Sequence, residues 1–264
     1  MISSATLPLM LKQLRLRNMQ SNWEEMAKQA ESSNWTYPRY LAALCDKEVS
    51  VREQQQIQSR IKEAKLPIGK TLDAFQFCKL ASINAAQITA LAENTNWVTS
   101  AHNLIIFGPS GVGKTHLAAA IGRRLVERGM RVLFTKTTAL VQTLQLANNS
   151  HKLSEVLGKL AKFNLLVLDD IGYVKKSESE TSVLFELIAD RYESRSLLIT
   201  SNQAFDQWDA IFPNNIMAVA AIDRLVHHST IININEPSYR RVAKINACSK
   251  DSSFVGNEEL AIAQ

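Results

Sequence analysis

The sequence contains few cysteines and no long apolar run. Its three cysteines, Cys45, Cys78 and Cys248, are odd in number and far apart in the 264-residue chain, which argues against a disulfide framework or a zinc site. Such sparse thiols are typical of the reducing cytoplasm. No stretch approaches the ~18 apolar residues that a membrane-spanning helix needs. The segment from Met1 to Leu11 has no secretory-signal pattern. We therefore expect a cytoplasmic protein with no membrane partner.

Glycine is scarce in the first quarter of the chain, where Gly69 is the only one up to residue 70. Apolar residues recur there every three to five positions, which indicates amphipathic helices. This segment carries 11 Lys and Arg against 7 Asp and Glu, so most of the net charge of +5 lies in it. A basic balance is typical of proteins that bind nucleic acid, although many basic proteins bind none. We interpret residues 1–70 as a small all-α domain for DNA binding or oligomerisation. A solvated helical surface is the alternative explanation of its charge.

The rest of the chain begins with a connector, residues 71–100, in which Phe75 and Phe77 are candidates for local core or for a contact with a nucleotide base. From residue 101 onward, short apolar runs alternate with helical patterns, which predicts an α/β fold with a parallel sheet and flanking helices. Strands are predicted at 103–107, 131–135, 164–168, 196–200 and 229–234, and helices at 114–128, 137–147, 151–161, 178–194, 216–227 and 238–247. We assign 101–248 to this domain and 249–264 to a flexible tail.

A glycine-rich motif between the first strand and its helix matches the phosphate-binding P-loop, G-x-x-x-x-G-K-[ST]. Its glycines allow backbone N–H groups to close around phosphate oxygens. Lys114 can reach the β- and γ-phosphates, and the Thr115 hydroxyl can bind Mg²⁺. The motif predicts a nucleoside-triphosphate site with Mg²⁺ as cofactor. Its nucleotide-binding residues are Gly108, Pro109, Ser110, Gly111, Val112, Gly113, Lys114, Thr115 and His116.

Two acids end an apolar strand about fifty residues after the P-loop. The carboxyl ends of parallel strands open onto the ligand crevice. Asp169 is therefore predicted to hold Mg²⁺ with Thr115, and Asp170 to orient the attacking water. Neighbouring residues of a strand point in opposite directions, so the two acids should have different roles.

Three further residues are candidates for the catalytic site. Asn202 follows another apolar strand and could contact the γ-phosphate or the attacking water. Arg224 could be an arginine finger donated to a neighbouring subunit or half of a surface salt bridge with Asp223, and spacing does not decide between them. Arg240 could contact phosphate at the start of the last predicted helix. The adjacent His227 and His228 have no metal-ligand partner nearby in the sequence and are interpreted as structural.

Several segments resemble one known family. The similarity covers roughly residues 7–245 and is strongest in Gly108–Ala118, Leu165–Tyr173, Asp223–His228 and Ser238–Arg240. They are similar to the IstB family, the ATP-binding helper proteins of bacterial insertion sequences, related to the DnaC helicase loader and the DnaA initiator.

The resemblance implies an AAA+ ATPase that assembles with ATP as a homo-oligomer on double-stranded DNA. Because Lys and Arg would act mainly on phosphates, we expect this binding to be largely independent of DNA sequence. It further implies delivery of that DNA to a cognate transposase, with hydrolysis as the switch. Asn202 then falls at the sensor position and Arg224 at the arginine finger.

Two alternatives remain open. A replicative helicase loader would have a helicase as its partner, and the basic helical segment argues mildly against it. A small-molecule P-loop kinase would need an arginine-rich lid, which the sequence does not show, and the adjacent Asp169 and Asp170 suit water activation better.

Overall fold

The computed structural model describes residues 6–77, 82–172, 177–204, 207–208, 215–236 and 238. It divides the chain after Arg60 into two compact units. The predicted helix at 238–247 and the predicted tail at 249–264 fall outside the described residues, apart from Ser238. Among the described helices, none combines the length and apolarity needed to cross a bilayer.

The first unit is helical, as predicted. It contains α1 (Leu7–Gln13), α2 (Arg17–Ser32) and most of α3 (Tyr37–Ala64). Pro8 lies in the first turn of α1, where its missing N–H costs no hydrogen bond. The apolar stripes of these helices meet in a small core formed by Leu11, Met19, Met26 and Leu44.

A buried acid fixes the start of α2. Glu48 of α3 is 3% exposed, and its Oε2 accepts from the backbone N–H groups of Asn18 at 2.8 Å and Met19 at 2.9 Å. These are N–H groups that a helix leaves without intrahelical partners, so Glu48 acts as a cap from a distant helix. Its Oε1 accepts from Arg52 Nε at 2.7 Å. Burial alone would raise the pKa of Glu48, but the two amides and Arg52 outweigh burial and lower it.

The second unit contains the predicted parallel sheet. Its strands are β1 (Asn103–Phe107), β2 (Val132–Lys136), β3 (Leu165–Asp169), β4 (Ser196–Ser201) and β5 (Ser229–Asn233), in the order β2-β3-β4-β1-β5. The helices are α4 (Ala85–Glu93), α5 (Asn96–Thr99), α6 (Lys114–Glu127), α7 (Thr137–Asn149), α8 (Leu153–Leu160), α9 (Glu178–Arg191) and α10 (Asn215–His227). β3 lies one residue later than predicted, so Asp169 is its last residue rather than the first residue after it.

Each face of the sheet packs against a separate hydrophobic core. Alternate residues of β1 show the division, with Leu104 and Ile106 facing one core and Ile105 and Phe107 the other. The first core includes residues of α4 and α6, and the second includes residues of α7, α9 and α10. Strands covered on both faces explain why their sequences are continuous apolar runs rather than alternating ones.

A buried arginine joins the end of α9 to the turn before β3 and to the start of β4. Arg191 is 1% exposed, and its guanidinium donates to the carbonyls of Leu160, Phe163, Asn164 and Ser196. Burial lowers its pKa to about 10, so it stays charged at neutral pH. This fork of donors ties the turn before β3 and the start of β4 to the last turn of α9.

Candidate nucleotide-binding site

The P-loop connects the end of β1 to the start of α6. Gly108, Gly111 and Gly113 have φ of 151°, 88° and 103°, a region that disfavours other residues. A Cβ on Gly108 would lie 2.6 Å from the carbonyl oxygen of Ile234, and one on Gly113 would lie 3.1 Å from Phe75 Cε2. Glycine is therefore required here by close packing as well as by backbone conformation.

Lys114 places a positive charge inside the loop. It is the first residue of α6 and is 8% exposed. Its Nζ donates to the carbonyl oxygens of Gly108 at 2.7 Å and Pro109 at 2.9 Å. A buried ammonium group at a helix N-terminus makes the loop a strong anion site. Within the loop, Pro109 and Ser110 are exposed, whereas Val112 is buried.

Asp169 and Thr115, predicted to share a cation, are in direct contact. Thr115 Oγ1 lies 3.0 Å from Asp169 Oδ1 and 3.2 Å from Oδ2. Asp169 is 5% exposed, and its Oδ1 also accepts from Thr200 Oγ1 at 2.7 Å. Thr137 Oγ1 donates to the Asp169 carbonyl at 3.0 Å. Hydroxyls from three elements therefore surround this acid at the end of β3.

Asp170 is the first residue after β3, and its backbone departs from the extended conformation. Its φ is 65°, the left-handed region that Asp tolerates better than most residues. Its backbone N–H donates to Thr200 Oγ1 at 2.8 Å, and the next N–H, of Ile171, donates to the Thr200 carbonyl at 3.0 Å. The two acids consequently differ in burial and backbone conformation, which is consistent with the different roles predicted for them.

The remaining candidates lie at different distances from the loop. Asn202 directly follows β4, where the Ser201 carbonyl accepts from Gly108 N–H at 3.3 Å, so Asn202 is close to the start of the P-loop. Arg224 is in the last turn of α10, which leads into the start of β5. Because β5 pairs in parallel with β1 from Ser229 opposite Asn103, α10 ends at the amino ends of these strands, whereas the P-loop follows the carboxyl end of β1. The structure therefore does not bring Arg224 to its own P-loop. Arg240 lies outside the described residues.

The side chain of Arg224 packs against Phe185 of α9. Its guanidinium carbon is 4.9 Å from the centre of the Phe185 ring, and Nη1 donates to the Ala220 carbonyl at 3.3 Å. An arginine over an aromatic face gains a cation–π attraction and is held in one orientation.

Thr200 was not predicted as part of the site, and residues 71–77 were predicted only as part of a connector with two candidate aromatics. Thr200 contacts both acids, and its only sequence signal is a polar residue within the apolar run of β4. Residues 71–77 pack on the P-loop, with Phe75 against Gly113 and His116 Nε2 2.9 Å from the Thr71 carbonyl. The imidazole of His116 thus anchors this segment, while Phe75 meets its ring edge-on at 5.2 Å. An aromatic before the P-loop was the available signal.

Comparison with known proteins identifies relatives over nearly the whole chain. The family described as IstB-like ATP binding protein matches residues 9–247. An insertion-sequence ATP-binding protein of Sinorhizobium fredii is 47% identical over 246 residues, which is 93% of this chain and 83% of the relative. The ATP-binding protein of insertion sequence IS21 from Pseudomonas aeruginosa is 36% identical over 256 residues, 96% of each chain.

Solved structures share the fold. The DnaC helicase loader superimposes with a TM-score of 0.54 at 20% identity, over 63% of this chain and 97% of the loader. AMPPCP-bound DnaA from Aquifex aeolicus also has a TM-score of 0.54, at 21% identity, over 72% of this chain and 57% of DnaA. The predicted AAA+ P-loop fold is confirmed. With its sheet, its P-loop and these matches, the chain belongs to the family of IstB-like ATP-binding proteins of insertion sequences.

Proposed function

We propose that this protein is an ATP-dependent transposition helper. In this proposal it binds ATP with Mg²⁺, assembles as a homo-oligomer on double-stranded DNA and delivers that DNA to its transposase. Hydrolysis of ATP to ADP and phosphate is the switch that controls this assembly. The observation that carries the proposal is the buried Asp169 carboxylate, bonded to the Thr115 and Thr200 hydroxyls beside the P-loop.

The residues beside the P-loop fit Mg²⁺, a hard cation that prefers oxygen ligands and keeps several waters. Thr115 would bind it directly and Asp169 through water. When bound, the ion neutralises charge that develops on the phosphate oxygens. Lys114, which donates to two loop carbonyls, would exchange these for phosphate oxygens of ATP. Asp170 would orient the attacking water, and Asn202 would hydrogen-bond the γ-phosphate or that water.

Arg224 would act on a neighbouring subunit in this proposal. It lies at the end of α10 that is opposite its own P-loop, so a role in phosphate chemistry requires a second chain. The stacking on Phe185 supports the role because it holds the guanidinium in place before the subunits meet. ATP hydrolysis would then depend on assembly.

DNA binding would use the basic helical segment, residues 1–70. Arg15, Arg17, Arg52, Arg60 and Lys62 are the candidate phosphate contacts. Arg52 also forms a salt bridge with Glu48, which partly neutralises its positive charge. Contacts of Lys and Arg to phosphate carry little sequence information and weaken with salt. The relatives named for insertion sequences support a transposase as the partner.

Measurement of ATP hydrolysis by the full-length protein, with and without duplex DNA, tests the proposal. We expect Mg²⁺-dependent hydrolysis that Lys114→Ala abolishes, together with ATP binding. The matched control is Lys159→Ala, which removes an exposed lysine on α8 and should leave both activities unchanged. Unchanged ATP affinity of Lys114→Ala in titration calorimetry would overturn the assignment of the site.

DNA binding in the absence of any partner separates the proposal from a helicase loader. We expect the protein with ATP to bind duplex DNA by itself, with an affinity that falls steeply as salt rises. Binding only in the presence of a replicative helicase would favour the loader instead.

A further inference from the structure

A second group of polar side chains lies where α9 and α10 end next to each other. Tyr192 and Glu193 directly follow α9, and His227 and His228 end and follow α10. One ligand atom from each of Glu193, His227 and His228 lies within 4.8 Å of the others. His228 Nε2 is 3.9 Å from Glu193 Oε1, and the two imidazole ring centres are 4.1 Å apart.

We propose that Glu193, His227 and His228 form a binding site for a first-row divalent transition metal such as Zn²⁺. Two imidazole nitrogens and a carboxylate oxygen are a donor set that this ion accepts, with bonds of about 2.0–2.2 Å. Ligands at that distance from a tetrahedral centre are about 3.3–3.6 Å apart. The separation of His228 and Glu193 is close to this value. All three side chains are exposed, so the ion can reach them and small rotations can close the site.

Tyr192 orients one of the proposed ligands. Its hydroxyl is 2.9 Å from His227 Nδ1. In metal sites a ligating histidine usually makes a hydrogen bond through its other ring nitrogen, which fixes the ring and the tautomer. Because Nδ1 of His227 is bonded to Tyr192, we assign Nε2 of His227 to the metal.

The backbone presents Glu193 to the histidines. Its φ is 55°, and the turn around it is closed by the N–H groups of Ser194 and Arg195, which both donate to the Arg191 carbonyl. The sequence showed no partner for His227 and His228 because Glu193 lies far from them along the chain. A metal at this site would join the turn between α9 and β4 to the end of α10.

Calorimetric titration of the untagged full-length protein with Zn²⁺, in buffer with excess Mg²⁺, tests the proposal. We expect saturable binding of one Zn²⁺ per chain at this site. His228→Ala and Glu193→Gln should each weaken the affinity by at least about tenfold, and Tyr192→Phe by about 10–100-fold, as for other groups that orient a ligand. Zn²⁺ should also raise the unfolding temperature of the wild type but not of His228→Ala.

His151→Asn is the matched control. It removes another exposed histidine, whose φ of 56° an asparagine tolerates, and should leave the affinity unchanged. Since the proposed ligands are exposed, their variants should fold, which circular dichroism checks. Two results would overturn the proposal. One is the absence of Zn²⁺ binding by the wild type. The other is wild-type affinity in His228→Ala and Glu193→Gln, which would assign the bound ion to other groups such as the exposed Cys45.

Discussion

Thr200 Oγ1 donates to Asp169 Oδ1 at 2.7 Å and accepts from the backbone N–H of Asp170 at 2.8 Å. Thr200 is 1% exposed, and its single hydroxyl holds both acids of the candidate site from the neighbouring strand. It fixes the rotamer of the first acid and the left-handed backbone of the second. Thr200 is thus a positioning residue for the acid pair.

Thr200→Val should impair hydrolysis more than folding. The substitution keeps the shape of the side chain but leaves a buried carboxylate oxygen and an N–H without this partner, which costs about 1–3 kcal/mol of stability. We expect kcat to fall about 10–100-fold and the Mg²⁺ concentration for half-maximal activity to rise, as when other groups that orient metal ligands are lost. Steady-state kinetics over a range of Mg²⁺ concentrations measures both.

Thr200→Ser should restore most of this loss because it retains Oγ. Thr143→Val, which removes an exposed hydroxyl on α7, is the control for a threonine-to-valine change elsewhere. A Thr200→Val protein with wild-type Mg²⁺ dependence would contradict the positioning role.

Two glycine-to-alanine substitutions should have opposite effects on stability. In Gly108→Ala the new Cβ would lie 2.6 Å from the Ile234 carbonyl oxygen at a φ of 151°, so the loop must move. We expect a loss of more than about 1 kcal/mol in the free energy of unfolding, together with weaker ATP binding. Gly158 lies within α8, and a Cβ added there would meet no atom within 4 Å, so Gly158→Ala should stabilise by about 0.5–1 kcal/mol. Urea unfolding of both variants measures the sign of each change in the free energy of unfolding. Equal changes in the two variants would refute the packing argument at Gly108.

Glu48 should make the stability of the helical unit depend on pH. Because its pKa is lowered from an ordinary value of 4.5 in the folded protein, it contributes stability above that value. That contribution is lost as the pH falls through the lowered folded pKa. Glu48→Gln should therefore be less stable than wild type by about 1–3 kcal/mol at neutral pH. The difference should shrink below pH 4.5.

Urea titrations from neutral to acidic pH measure this difference. Glu53→Gln changes an exposed acid of the same helix and should show no such dependence. A stability difference between Glu48→Gln and wild type that stayed constant down to acidic pH would exclude the proposed cap.

Arg224→Ala should bind ATP normally and hydrolyse it poorly, even on DNA. In comparable NTPases an arginine finger accounts for about 10³–10⁵-fold in rate, whereas an exposed salt bridge with Asp223 would leave hydrolysis unaffected. Mixing this variant with Lys114→Ala should restore activity, because an intact P-loop of one chain can face an intact Arg224 of the other.

A chain carrying both substitutions, mixed with Lys114→Ala, is the control and should remain inactive. If well-mixed oligomers of the two single variants show no recovery, Arg224 does not act between subunits.

The local sequence was sufficient to predict the P-loop, the parallel sheet and the helical first segment. A P-loop is built from contiguous backbone, so its residues must appear at fixed spacing, and strands covered on both faces must be apolar throughout. The position of Asp169 at the carboxyl end of a predicted strand indicated that it would hold one Mg²⁺ ion together with Thr115, and the two side chains are in contact. The predicted boundaries of the described strands and helices from residue 101 onward agree with the observed ones to within three residues, and β3 begins and ends one residue later, so Asp169 lies within the strand.

Only the tertiary structure decided which distant residues meet. Thr200 reaches both acids because β3 and β4 pair in parallel at one register, and Glu193 meets His227 and His228 because two helices end side by side. Neither contact can be predicted from the local sequence, because each depends on strand order and helix packing rather than on spacing along the chain. The separation of Arg224 from its own P-loop has the same origin. Because β5 pairs in parallel with β1, α10 ends at the amino ends of these strands and the P-loop lies at the carboxyl end of β1.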